Sequence, residues 1–199
     1  NRVHSLPEDR LTSTGIVLLI ACLTLGQHSW RRGYFHDGYL YAGLSKSIAE
    51  NGNWLAPHFA PTFDNEYFDH PPFFLWYQAG FFKLLGASWT TSRISNSILS
   101  LAVIVLLFSL IRRGAQDRWW TFYAGIILAL TPPFIKTSNF PNLDCALTLF
   151  ISISFACAYI SSIRGGYRWW IITGISFGIS ALLKGPPAAV VPAGIVVYL

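Results

Sequence analysis

An all-α, polytopic transmembrane helical bundle is the fold class this sequence predicts, with an external first loop carrying juxtamembrane amphipathic helices. Three observations point there. Hydrophobic residues make up 53% of the 199 positions and charged residues only 12%, against roughly a quarter charged in soluble domains. The apolar residues gather in runs, at about residues 11–30, 94–111, 119–135, 143–163 and 169–184, whose only charges are Asp144 and Lys184 at their ends, with a further run opening at 188 and continuing to 199. Finally, one long polar stretch, residues 36–72, holds five of the nine carboxylates. A spanning segment needs about 20 mainly apolar residues, and in lipid its backbone must be satisfied within the segment, which makes these runs helices.

The first run follows Arg10. No small-x-small cleavage site follows its apolar centre, so it is expected as a retained span rather than a signal peptide. Residues 31–70 then form the external loop. Within it Leu40, Tyr41, Leu44 and Ile48 share one helical face while Ser45, Lys46, Ser47 and Glu50 are polar, which predicts an amphipathic helix over residues 37–50 lying on the membrane. Asn51-Gly52-Asn53 ends it. Residues 54–69, with Pro57 and Pro61, are expected as a loop or broken helix returning to the surface. Residues 71–86 are apolar and crowded with aromatic rings, yet short and interrupted by Gln78 and Lys83. They are expected to lie along the outer interface or to dip in and return.

Charge assigns the sides. The connections 112–118 and 164–168 carry three and two arginines, while the connection between them carries Lys136 alone. The positive-inside rule puts both arginine loops in the cytoplasm. Asp37, Asp69, Asp144 and Lys184 then fall together at the external end. Arg31, Arg32 and Arg93 oppose this count, but they flank a loop of about 60 residues, the length at which the rule weakens. A faint internal echo accompanies the pattern: DRWW at 117–120 leads to Pro132-Pro133, and YRWW at 167–170 leads to Pro186-Pro187. Each copy predicts a helix anchored inside by Arg-Trp-Trp and released outside near Pro-Pro.

Each charged residue at that end also has a purely structural explanation. Asp37 can cap the amphipathic helix, and Asp69 can cap a helix starting at Pro71. Asp144 favours a helix N-terminus, and Lys184 favours a last turn. Capping does not account for two His-Asp pairs, His36-Asp37 and Asp69-His70, bracketing the polar stretch. Nor does it explain why the charges collect at one end while no complete span has an ionisable residue at its middle. A transporter with a midplane site would place charge there; an enzyme acting on lipid headgroups would place it where it is. Cys22, Cys145 and Cys157 show neither disulfide nor metal spacing. The net charge of +5 sits singly or in pairs at the ends of apolar runs, with no nucleic-acid motif. The absence of methionine and the run still open at residue 199 suggest the N-terminal part of a longer protein.

The ordered blocks DGYLYAGLSKSIAENGNWLAPH, YFDHPPFFLW, NLDCALTLF and LLKGPPAAVVP, over about residues 33–192, resemble the membrane glycosyltransferases of the GT-C superfamily. The resemblance is to the bacterial dolichyl-phosphate-mannose-protein mannosyltransferase-like group that includes the lipid A aminoarabinose transferase. It implies transfer of a sugar from a polyprenyl-phosphate-linked donor to a lipid, protein or glycan hydroxyl, among membrane lipids, at the external face of a bacterial inner membrane. Asp37 occupies the position of the catalytic or acceptor-orienting carboxylate, with Gly38 where many members carry a second acid. Tyr67-Phe68-Asp69-His70-Pro71 matches the Tyr-Phe-acid-Lys-Pro block, with His70 in place of the lysine associated with the lipid phosphate. Asp69 and Asp144 are then catalytic carboxylates, and His36, Tyr67, His70 and Lys184 are substrate-binding. The resemblance fixes no cofactor but allows a divalent metal, which Asp69 would help hold. The rival expectations are a transporter or flippase for lipid-linked sugars and a non-catalytic membrane scaffold.

Overall fold

A computed structural model of the chain describes residues 7–27, 30–33, 36–58, 67–114 and 118–198. Their regular elements are all helices: α1 (Pro7–Gly26), α2 (His36–Asn51), α3 (Phe73–Leu85), α4 (Trp89–Gly114), α5 (Arg118–Leu130), α6 (Pro132–Ser138), α7 (Leu143–Arg164), α8 (Tyr167–Lys184), a 3-10 turn (Pro186–Ala189) and α9 (Val190–Tyr198). Among the described residues, α4 and α7 are long and apolar enough to cross a membrane. At 1.5 Å per residue, the 26 residues of α4 reach about 39 Å and the 22 of α7 about 33 Å. Apolar side chains stay bare on the outer faces of the shorter helices, with Leu19 60%, Ile127 66% and Ile175 59% exposed. Helices apolar on both their core-facing and outer sides suit lipid surroundings.

The apolar run 119–135 is cut in two. Pro132 lacks the N–H that would continue α5 and its ring crowds the preceding turn, so α5 stops at Leu130 and α6 starts at Pro132. The second copy of the echo behaves likewise: α8 stops at Lys184, ahead of Pro186-Pro187. The two helices nonetheless differ in length, 13 residues against 18. Shared local grammar accounts for the echo without further symmetry.

The bundle has two ends. The start of α4 meets the end of α1, where Ser97 Oγ donates to the Leu25 carbonyl at 3.3 Å. It also meets the end of α6, where Asn96 Nδ2 donates to the Thr137 and Ser138 carbonyls at 2.9 Å each. The far ends of α4 and α7 carry Arg112, Arg113 and Arg164; α5 starts there at Arg118, and α8 at Tyr167, followed by Arg168. Asp144 opens α7 and Lys184 closes α8, so the acids and the arginine pairs occupy opposite ends. Close approach in the α1, α4 and α5 seam depends on Gly125, where a Cβ would sit 2.8 Å from Val17 Cγ1 and 3.0 Å from Phe108 Cδ2. Small residues serve this purpose between membrane helices.

α2 departs from its expected setting. Its apolar face, Tyr41, Leu44 and Ile48, is buried in one core with Phe74, Leu75, Leu143 and Leu183, so protein rather than lipid covers it. Ser45 and Ser47, read as part of the polar face, are 0% and 5% exposed. Small hydroxyls fit a helix seam, and Ser45 Oγ donates to Gln78 Oε1 at 3.2 Å. Gln78 in turn donates through Nε2 to Ser92 Oγ, which ties α2, α3 and α4 together through groups with no access to solvent. The two polar residues that interrupt the run 71–86 are thus both engaged, since Lys83 Nζ lies 5.1 Å from the centre of the Trp54 ring. Gly52, at φ 76°, ends α2 with its N–H on the Ile48 carbonyl at 2.9 Å, a left-handed cap that glycine adopts without steric cost.

Candidate active site

The site grows from the α7–α8 hairpin. Gly165 and Gly166, at φ 69° and 101°, turn the chain, and the helices run back antiparallel. Ser154 and Thr173 fix the register by donating to each other's carbonyls, at 3.2 and 3.3 Å. Asp144 lies ten residues before Ser154 and Lys184 eleven after Thr173, so equal rise brings them to one level. There Lys184 Nζ donates to Asp144 Oδ1 at 2.7 Å. Sequence nominated both residues without linking them.

Asp144 is free for this role because it does not cap its helix. Asn142 does, its Oδ1 accepting from the Asp144 N–H at 2.9 Å. Asn142 is itself held by Asn96, whose Oδ1 accepts the Asn142 N–H at 3.4 Å. Beside Asn96, the buried Arg93 donates to the carbonyls of Asn139 and Gly33, with its guanidinium 5.1 Å from the Phe140 ring centre. Arg93 therefore reports on packing rather than membrane side, which removes one objection to the charge count. Asn96 and Arg93 were missed as site-building residues. Their signal was available: a polar and a charged residue at the head of an apolar span require partners.

Across the shared core, α2 brings Asp37 in its first turn. One turn on, Tyr41 is 5% exposed, with its ring 6.1 Å from that of His70 and edge-on to Phe74 at 5.9 Å. Burial raises the Tyr41 phenol well above its usual range, and the charges of Asp37, Asp144 and Asp69 push the same way. Charges contributed by three separate segments, together with Tyr67, thus act on one buried hydroxyl, which stays protonated as a donor. Tyr41 was read only as part of an apolar face; its i, i+4 relation to Asp37 was the usable signal.

Tyr67, 9% exposed, closes the base of its loop by donating its N–H to the Pro57 carbonyl at 2.9 Å. Its phenol is pushed up to about 12 by burial, then by Asp69 and Asp37. Asp69 is exposed and His70 half-buried. Asp69 does not cap α3, whose N-cap is Pro72 with no side-chain bond. His36 opens α2, and its side chain lies outside the described residues. Among the described residues, which leave out the side chains of His36, Asp64 and Glu66, no three His, Cys, Asp or Glu side chains gather to hold an ion.

Together these features define a class: a polytopic helical membrane protein of the GT-C type, with acids, a lysine and buried phenols at one end of its bundle. The chain belongs to the dolichyl-phosphate-mannose-protein mannosyltransferase family, whose signature matches residues 69–199. It is 28% identical over 195 residues to the undecaprenyl phosphate-alpha-4-amino-4-deoxy-L-arabinose arabinosyl transferase of Pseudomonas savastanoi pv. phaseolicola, covering 96% of this chain and 35% of that protein. Its fold is similar to the crystal structures of ArnT from Cupriavidus metallidurans. The apo form gives a TM-score of 0.74 at 21% identity, covering 94% of this chain and 35% of that one. The form bound to undecaprenyl phosphate gives 0.75 at 20%, covering 98% and 36%. The chain therefore spans about a third of the length of the relatives it matches.

Proposed function

We propose that the protein containing this chain is a glycosyltransferase. It moves a sugar from a polyprenyl-phosphate carrier, undecaprenyl phosphate by likeness to its relatives, to a hydroxyl of a lipid, protein or glycan acceptor. The acid end faces outward from the inner membrane, as the arginines at the opposite end imply. The observation that carries this reading is the Asp144–Lys184 pair, set at the same end as Asp37, Asp69 and the buried phenol of Tyr41. Lys184, steadied by Asp144, and His70 meet the donor phosphate. Asp37, exposed at the head of α2, accepts the acceptor hydroxyl's proton as its oxygen bonds to the anomeric carbon. The carbon–oxygen bond to phosphate breaks, and its electron pair leaves with the phosphate, which the lysine stabilises. Asp69 contacts the sugar or acceptor, and the protonated phenols of Tyr41 and Tyr67 donate hydrogen bonds nearby.

The test is Asp37→Asn in the whole protein, assayed in membranes with labelled polyprenyl-phosphate sugar. Loss of a general base costs roughly 10²–10⁴-fold, and Asp37 is exposed, so transfer should fall by that factor with the amount of folded protein unchanged. Transfer at the wild-type rate overturns the assignment.

A further inference from the structure

On the face of α2 turned away from Tyr41 lies a second hollow that the transfer chemistry does not use. It is a groove of about 290 Å³ lined by Tyr39, Ala42, Gly43, Lys46, Phe82 and Trp89, with Ala87 and Ser88 at its edge. On α2 the lining follows the i, i+3, i+4, i+7 rule of a single helical face, opposite the buried Tyr41, Leu44 and Ile48. The alternation of residue types is informative. Ala42 and Gly43 keep the floor low, Tyr39 and Trp89 meet edge-to-face at 5.6 Å to wall one side, and Phe82 walls the other. Lys46 supplies the cation. Its only ion pair among the described residues, with Glu50, is long at 3.7 Å and solvent-exposed, with the two side chains 56% and 58% accessible, so it is held weakly.

Depth in the membrane identifies the occupant. Trp89 is the first residue of α4, whose 26 residues exceed the hydrocarbon thickness. The groove therefore sits at the headgroup boundary, where tryptophan and tyrosine settle. Between Phe82 and Ala87 in the chain, Leu84 and Leu85 are 83% and 63% exposed, bare apolar surface at the end of α3. A cation at the rim, aromatic walls at interface depth and bare leucines on the same connection match one molecule: a glycerophospholipid with its phosphate at Lys46 and the first part of one acyl chain between Tyr39, Trp89 and Phe82. We propose that this groove is a structural phospholipid site, holding α2 against the α3–α4 corner and so fixing the helix that carries Asp37. The groove fills in this way whether or not the acids on the other face transfer sugar.

The experiment places the whole protein in nanodiscs of phosphatidylethanolamine and phosphatidylglycerol, with a trace of phosphatidylglycerol bearing a photoactivatable acyl chain. Cross-linked peptides are then mapped by mass spectrometry. Label is expected on peptides containing residues 39–46 or 82–89. Ala42→Trp, which fills the floor, should cut that label by about tenfold, the equivalent of 1.4 kcal/mol. Lys46→Glu should reduce it comparably, by replacing a charge-assisted contact with repulsion, while Lys46→Arg retains it. Lys46 is exposed, so the charge reversal remains informative even if Ala42→Trp fails to fold. Label unchanged in Lys46→Glu overturns the site. So does label found elsewhere but absent from both peptides, which would mean that a further protein segment covers the groove.

Discussion

Replacing Asp144 by asparagine separates a structural ion pair from a functional one. The charges lie 2.7 Å apart, with the side chains 35% and 46% exposed. Their bare attraction at an effective dielectric near 20 is about 6 kcal/mol. Solvent at half-exposed groups and the cost of ordering a lysine reduce the net contribution to about 1 kcal/mol. Asparagine keeps the shape and one hydrogen-bond acceptor, so the unfolding midpoint of Asp144→Asn should fall by less than about 4 °C. The effect on transfer should be larger. Without Asp144, the flexible Lys184 stem no longer presents its charge at one point, and misplacement of about 1 Å can cost 10²-fold. The assay is kcat/KM for sugar transfer by the whole protein in detergent, normalised to folded protein. If the two residues act as a unit, Asp144→Asn combined with Lys184→Met should be no worse than Lys184→Met alone. Wild-type kcat/KM in folded Asp144→Asn, or simple additivity in the double variant, would refute the claim that Asp144 positions Lys184.

Three further outcomes follow from the packing. Gln78→Ala removes the link between Ser45 and Ser92 at a site with no solvent access and should destabilise the protein by about 1–3 kcal/mol, read from denaturant midpoints, because two hydroxyls lose their partner. Gly125→Leu forces atoms into Val17 and Phe108 and should separate α1 and α4 from α5. A cysteine pair bridging Val17 and Gly125 neighbours would then lose its cross-linking yield. Tyr67 has a folded-state value near 12 against an ordinary 10.0. The folded form therefore holds its proton more tightly, and the associated stability is complete below pH 10 and lost as pH rises from about 10 to about 12. Tyr67→Phe should flatten that part of the alkaline melting curve.

Most of the helices were legible in the sequence because lipid leaves few options: an apolar run of sufficient length must be helical, whatever it packs against. The proline breaks at Pro132 and Pro186 are local chemistry and can be read in place, although the run 119–135 concealed the first of them. α2 was legible as a helix but not in its surroundings. Its periodicity shows an apolar face without saying whether lipid or Phe74, Leu143 and Leu183 covers that face. For the same reason Ser45 and Ser47 passed as surface residues.

By itself, the sequence determined composition, helix positions, the side on which the arginines collect and the identity of the charged residues at the other end. These depend on the solvent and on neighbours along the chain, both of which a string of residues encodes. Only the tertiary structure decided that Lys184 pairs with Asp144, that Asn142 rather than Asp144 caps α7, that Arg93 and Asn96 brace the turn beneath them, and that Tyr41 is buried against His70 and Phe74. Those facts depend on the register of one helix against another. That register is set by seams such as Ser154 with Thr173, whose two sides lie far apart along the chain and acquire meaning only when they meet.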